Sequence, residues 1–302
     1  MSKESIFDVA SITKAIPTAS LTLQLIDQNR LALNDQVISY LPELRNPERE
    51  KLHIRHLLTY TLAHQGPGLS TFKSRTAEEM FEYAFTQPFA SSPGTIFAYS
   101  NLPALFLGLL VERVLNNTLD HLAETHFFDP LKMISSTFQP KDPHTTVPTE
   151  IDDWRGLVQG VVHDESAYLV RKEANKVVGH AGLFSTAPDI LNFLEMLLHK
   201  GELSGKRYFS EEMVEQMGTN QIPELGESTG LGWELNQPRF MGSQCGPHTF
   251  GKTGFTGTLC VCDVGRGIAF VILTNRAFPK RPTDASAGNA FRAAVADVVW
   301  GV

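Results

Sequence analysis

The segment Thr258–Thr274 constrains this chain more than any other. Thr258–Asp263 and Ile268–Thr274 are short apolar runs, and Gly265–Gly267 between them marks a turn, so the pair reads as an antiparallel hairpin. Gly230–Glu234 and Phe250–Thr253 read as two more strands, with further turns at Gly254 and Gly257. Upstream the pattern is helical. Thr13–Asn29, Ile54–Tyr60, Ala77–Phe85, Leu102–Leu115, Leu119–Phe128, Pro188–His199 and Glu211–Met217 carry apolar residues at helical spacing, and a last helix is expected over Asp284–Trp300. Pro17 should kink the first of these or lie in its first turn, and Ser185 and Thr186 are candidate caps for Pro188–His199. Pro140–Pro148 reads as a loop. Strands gathered near the end, rather than alternating with helices, exclude a parallel βαβ sheet. They predict an α+β fold, an antiparallel sheet flanked by helices with a helical region inserted before it.

Size fits that division. At roughly 150 residues per domain, a chain of 302 residues holds about two regions. We expect 1–30 and 201–302 to form the sheet region with a helix at its front, and 31–200 to be mainly helical, the two making one unit. Such a core needs no metal or disulfide. Lys plus Arg number 26 against 33 for Asp plus Glu, a net charge of −7 that argues against nucleic-acid or anionic-membrane binding. The longest apolar runs, Ala104–Val111 and Ile268–Leu273, fall short of a membrane span, and the first residues have no apolar signal core. As written the chain reads as cytoplasmic. A native start upstream of Met1 would instead allow a periplasmic or extracellular home. Three cysteines, two of them (Cys260 and Cys262) alternating on one strand, read as reduced core thiols.

Three short motifs carry chemistry. Ser11-Ile12-Thr13-Lys14 is an S-x-x-K, Tyr99-Ser100-Asn101 a Y-x-N before a helix, and Lys252-Thr253-Gly254 a K-T-G ending a strand. A serine hydroxyl needs a neighbour to take its proton. A lysine one helical turn on lies on the same face, and a buried lysine near other cations can lose its charge and act as a base. Tyr99 beside two lysines is expected to lean toward phenolate. Asn101 offers an amide to a substrate carbonyl or to Lys14. Lys252 and Thr253 offer a cation and a hydroxyl beside an open backbone edge. Together they suit acyl transfer to serine, with the oxyanion held by backbone N–H groups.

These motifs, with FDVASITK (Phe7–Lys14), LPEL (Leu41–Leu44), IRHLLTYT (Ile54–Thr61), PGTIFAYSN (Pro93–Asn101), GHAGLFSTAPDI (Gly179–Ile190) and FGKTGFTGT (Phe250–Thr258), resemble the serine β-lactamase and penicillin-binding-protein superfamily. The closer likeness is to its class C-like branch, which holds class C β-lactamases, D-alanyl-D-alanine carboxypeptidases and family VIII carboxylesterases. VHDESA (Val162–Ala167) is also similar to a segment of the carboxypeptidase-like members. The resemblance implies a β-lactamase/transpeptidase-like fold and an acyl-enzyme on Ser11. It implies Lys14 as the partner of Ser11, Tyr99 as general base, Asn101 as a substrate-amide contact, and Lys252 and Thr253 as the carboxylate-binding pair. Gly254 belongs to the same substrate-binding strand end, and the backbone N–H groups of Ser11 and Phe255 would form the oxyanion hole.

The chain also departs from that pattern. Only ten residues precede Ser11, so the sheet is expected to lack the usual N-terminal strands, with the C-terminal helix or a second copy of the chain covering what they would cover. Phe255 makes the pocket more apolar and favours esters, whereas the intact K-T-G favours carboxylate-bearing lactams or D-alanyl peptides. Thr59-Tyr60-Thr61-Leu62-Ala63 alters a usual T-x-T-S-G turn. The expected partner is a small-molecule or peptide substrate, with no cofactor and no metal. A non-catalytic penicillin-binding-like scaffold is the rival from another class.

Several strings read as decoys. Gly246–Thr253 matches a P-loop letter for letter, but β-rich sequence follows where a helix is needed. His53 and His56 read as capping or surface histidines. His163, Asp164 and Glu165 sit in a loop-like stretch that reads as an ordinary structural turn, with pocket lining as the lesser alternative, and His180 reads as part of a turn set by backbone shape. Trp154, Trp233 and Trp300 read as core or pocket wall. No G-x-S-x-G elbow is present.

Overall fold

The computed structural model describes residues 2–301. Its main sheet has four antiparallel strands in the order Ile268–Ile272, Leu259–Asp263, Phe250–Thr253 and Glu234–Leu235. The hairpin register pairs Ile268 with Asp263 and Ile272 with Leu259. Alternation along Leu259–Asp263 divides its side chains between two cores. Cys260 and Cys262 belong to the large core, while Leu259 and Val261 face a smaller one with Phe240, Met241, Phe270, Ala296 and Trp300. The helix Ser286–Trp300 supplies the last two of these, so it covers the second face of the sheet.

The first face is covered by the helix Ala187–Leu198, which packs on both hairpin strands although it lies within the stretch expected to be the helical region. Thr186, one of its two candidate caps, accepts from the Asp189 N–H at 3.4 Å, and Pro188 occupies its first turn. Its buried Ile190, Phe193, Leu194 and Leu197 each contribute about 1.5–3 kcal/mol by leaving water. Leu102–Leu115 packs on Ser20–Asp27 and on the turn before it, and Ile54–Leu58 packs on Leu102–Leu115 in turn.

Four expectations need correcting. Gly230–Glu234 is not a strand; pairing begins at Glu234 and runs to Leu235. Thr13–Asn29 is not one helix. Ala10–Lys14 is a 3₁₀ turn, Ile16 leaves helical geometry at φ −115°, ψ 108°, and regular helix starts at Ser20. Pro17 explains this, because the residue before a proline is pushed out of the α region. Leu119–Phe128 is regular only to Ala123 and widens to a π-turn over Glu124–Phe128. Glu165–Ala174, read as loop-like at its start, is a ten-residue helix capped by Asp164. A small hairpin, Glu150–Asp152 with Gly156–Val158, was too short to read from periodicity. Among the described residues no single helix is long and apolar enough to cross a membrane.

Candidate active site

Three segments deliver the site. The first is the turn Ala10–Lys14, held at its start by the short strand Phe7–Asp8, which pairs with Phe184–Ser185. Within it the Lys14 Nζ donates to Ser11 Oγ at 2.9 Å and to the His180 carbonyl at 2.9 Å. Lys14 is 1% exposed. Burial, and then the nearby Lys252, bring its ammonium down to about 7, against opposing pulls from Asp164 and Glu234.

The second segment brings Tyr99 and Asn101 to the mouth of the helix Leu102–Leu115. Tyr99 is 44% exposed as a residue, but its ring packs against Tyr60, centroids 5.1 Å apart, with Lys14 Nζ 5.5 Å from the Tyr99 centroid. Burial pushes that phenol up to about 12, although Lys252 pulls the other way. The expected lean toward phenolate is therefore overturned. Desolvation of the anion outweighs the nearby cation, and Lys14 is the group poised near neutrality.

The third is the strand Phe250–Thr253 with its turn. Lys252 Nζ is fully buried, 4.3 Å and 4.4 Å from the ring centroids of Tyr60 and Tyr99 and 3.3 Å from Glu234 Oε2. Glu234 also accepts from Arg239 at 3.0 Å. Gly254 is required where it stands, because a Cβ there would meet Thr258 Oγ1 at 2.0 Å and the Val9 carbonyl oxygen at 2.4 Å. That close approach sets the turn against the segment leading to Ser11. From the other side Arg292, on the helix Ser286–Trp300, donates to the Gly254 carbonyl at 2.8 Å. Phe255 is 41% exposed and stacks on His163, with centroids 5.4 Å apart, and the Arg276 guanidinium lies 4.7 Å from its ring.

Four residues lay beyond the motif reading. Asp164 accepts from Asn101 Nδ2 at 3.1 Å, Ser166 Oγ at 2.6 Å and the Ala167 N–H at 2.9 Å, and His180 Nε2 lies 3.2 Å from it. Burial raises its carboxyl, but His180 and these hydrogen bonds outweigh burial and hold it well below the usual carboxylate range. His180 thus serves through its ring as well as through backbone shape. Gly179 beside it admits no side chain, since a Cβ would lie 2.1 Å from the Ala104 carbonyl oxygen. Glu234 and Tyr60 complete the set. Asp-x-x-Ala ahead of an amphipathic run was a readable cap signal, whereas nothing local marks Glu234 as the neighbour of Lys252.

The decoys resolve locally. The P-loop string runs into a strand that turns straight into another strand. His53 donates its N–H to His56 Nδ1 at 3.1 Å at a helix start, and burial keeps His56 down at about 4. The cysteines are unpaired, and burial pushes Cys260 up to about 12.

The beta-lactamase family model matches residues 1–294. "Putative D-alanyl-D-alanine carboxypeptidase" from Salmonella agona (strain SL483) is 28% identical over 306 residues, covering 90% of this chain and 69% of its own. EstCE1, a hydrolase with promiscuous acyltransferase activity, superposes with a TM-score of 0.76 at 20% identity, covering 100% of this chain and 86% of its own. The octameric penicillin-binding protein homologue from Pyrococcus abyssi gives 0.72 at 23%, covering 99% and 67%.

Proposed function

This chain belongs to the beta-lactamase family and is a serine hydrolase, and from that premise we propose that Ser11 is its nucleophile toward D-alanyl-type amides and β-lactams. The observation that carries the reading is the 2.9 Å contact between Ser11 Oγ and a Lys14 amine brought down to about 7. Neutral Lys14 takes the Ser11 proton as Oγ bonds to the acyl carbon. The C–N bond then breaks, and the neutral Tyr99 hydroxyl relays the proton to the leaving nitrogen. Water cleaves the resulting ester and returns a proton to Ser11. Asn101, with its amide nitrogen committed to Asp164, offers its oxygen to a substrate N–H. Backbone N–H groups of Ser11 and Phe255 receive the oxyanion.

A second reading has its own support. Lys252 is buried against Glu234, which offsets its charge, and the exposed Phe255 ring offers an apolar wall. Both favour an uncharged ester over a carboxylate-bearing amide. A panel of nitrocefin, a D-alanyl-D-alanine peptide and a short p-nitrophenyl ester separates the two. Loss of all turnover in Ser11→Ala is expected, and full activity there would overturn the assignment. No labelling of Ser11 by a fluorescent penicillin or a fluorophosphonate would favour a scaffold role. We also propose self-association along Ile268–Ile272, which pairs on one side only among the described residues. A monomer by light scattering would count against it.

A further inference from the structure

We infer that the Asp8 carboxylate is a positioning residue for the nucleophile, a two-pronged clamp that holds the backbone immediately before Ser11 in the shape acylation requires. This rests on Ser11 being the nucleophile. Asp8 is 1% exposed, and its two oxygens point to different segments. Oδ1 accepts from the Ala10 N–H at 2.7 Å, and Oδ2 accepts from the His163 N–H at 2.7 Å. Ala10 sits at φ 48°, left-handed backbone that an alanine does not take unaided. The next residue is Ser11. The clamp therefore fixes an unfavourable conformation one residue before the nucleophile and ties it to the loop that carries Asp164 and the His163–Phe255 stack.

The backbone of Asp8 is held as well. Thr256 Oγ1 donates to the Asp8 carbonyl at 2.7 Å, so the K-T-G turn is fastened to the same residue. Nucleophile turn, His163 loop and K-T-G turn all meet at Asp8. This geometry asks for an anion, since both contacts are N–H donors and a carboxylate can accept both. Asparagine would turn its NH₂ on one of them.

The surroundings make the anion testable. Burial raises the Asp8 carboxyl to about 6, eased by the His163 and Ala10 N–H groups, with Asp164 raising it and Arg155 lowering it. Among these neighbours Asp164 stays ionised, and the His163 ring, kept to about 4 by burial and Arg281, stays neutral. Asp8, at about 6, and Lys14, at about 7, then change charge close together, the first active as its anion and the second as its neutral amine.

The experiment measures acylation by an activated p-nitrophenyl ester against pH, with fluorophosphonate labelling of Ser11 alongside. In the wild type the rate should fall with one proton below about pH 7 and with two below about pH 6, the mark of two groups acting together. Asp8→Asn should slow acylation about a hundredfold with little change in KM, as expected for a misplaced nucleophile, and should lose the second proton. Adding Ala10→Gly should recover part of that loss, because glycine takes positive φ without the clamp. Thr256→Val, which removes only the bond to the backbone carbonyl, should keep the two-proton limb. The clamp is overturned by a wild-type profile that stays first order to about pH 5, a reading available even where Asp8→Asn does not fold. It is equally overturned by Asp8→Asn labelling at the wild-type rate, by no rescue with glycine, or by Thr256→Val losing the second proton. A wild type left unlabelled at Ser11 takes the serine reading down with it, whereas labelled wild type with any of those results fails the clamp alone.

Discussion

Asn101 gives its side-chain amide to Asp164 across a 3.1 Å contact, joining the helix mouth at Leu102 to the cap of Glu165–Ala174. Asp164→Ala would free Asn101, remove the cap and take the carboxylate away from the Ser166 hydroxyl and the His180 ring, which keep only their 2.9 Å contact with each other. Loss of a cap costs about 1 kcal/mol and loss of hydrogen bonding to a buried charged group about 1.5–3 kcal/mol. Urea unfolding should therefore show a loss of about 2–4 kcal/mol. A change under about 0.5 kcal/mol, the size of an ordinary surface substitution, would contradict the network.

Lys14 sets the pH dependence of acylation. Its neutral form is the base, so the rate should rise with pH through about 7 and level off above it. Lys14→Arg, which stays protonated, should lower the acylation rate by about 10²–10⁴ while the circular dichroism spectrum is kept. An Arg variant acylating at wild-type speed would remove Lys14 from the chemistry.

Tyr99 should behave as a neutral relay. Tyr99→Phe is expected to slow turnover, by about 10²-fold, and to retain the limb near 7 that belongs to Lys14. Should that limb vanish in a pH-rate profile of the variant, Tyr99 and not Lys14 would be the titrating base.

Glu234→Gln leaves Lys252 as a buried cation without a counter-charge. Breaking such a pair costs about 3–5 kcal/mol, read as a lower midpoint in guanidinium. The uncovered charge should also lower KM for carboxylate-bearing substrates relative to neutral esters. Equal KM changes for both classes would mean that Lys252 does not reach the substrate.

Gly254→Ala forces a methyl toward Thr258 Oγ1 and the Val9 carbonyl. Overpacking of this kind costs about 1–3 kcal/mol, and here it should also slow acylation, because the turn and the Ser11 segment move apart. Thermal melting and acylation kinetics on one sample test both effects.

The hairpin and the longer helices were legible because side-chain periodicity is a local signal. Leu102–Leu115 and Phe250–Thr253 fall where the pattern puts them. Ser11, Lys14, Tyr99 and Lys252 do converge, and the spacing of S-x-x-K brings its serine and lysine within 2.9 Å. The charge state of Tyr99 was not legible, because proximity to lysine can be read from a motif and the depth of burial cannot. Glu234 and Asp164 were missed as partners for a similar reason. Each earns its place through a residue distant in sequence, Lys252 for one and Asn101 for the other.

The bond from Arg292 to the Gly254 carbonyl has a consequence for how the protein is made. Ser11 is synthesised well ahead of Ser286–Trp300, the helix that anchors the opposite wall. A nascent chain can collapse its helices early, yet it holds no finished catalytic turn until Ser286–Trp300 has emerged and docked. The finished turn therefore waits on that helix, and a chain made only part of the way to it carries Ser11 without the anchored wall opposite.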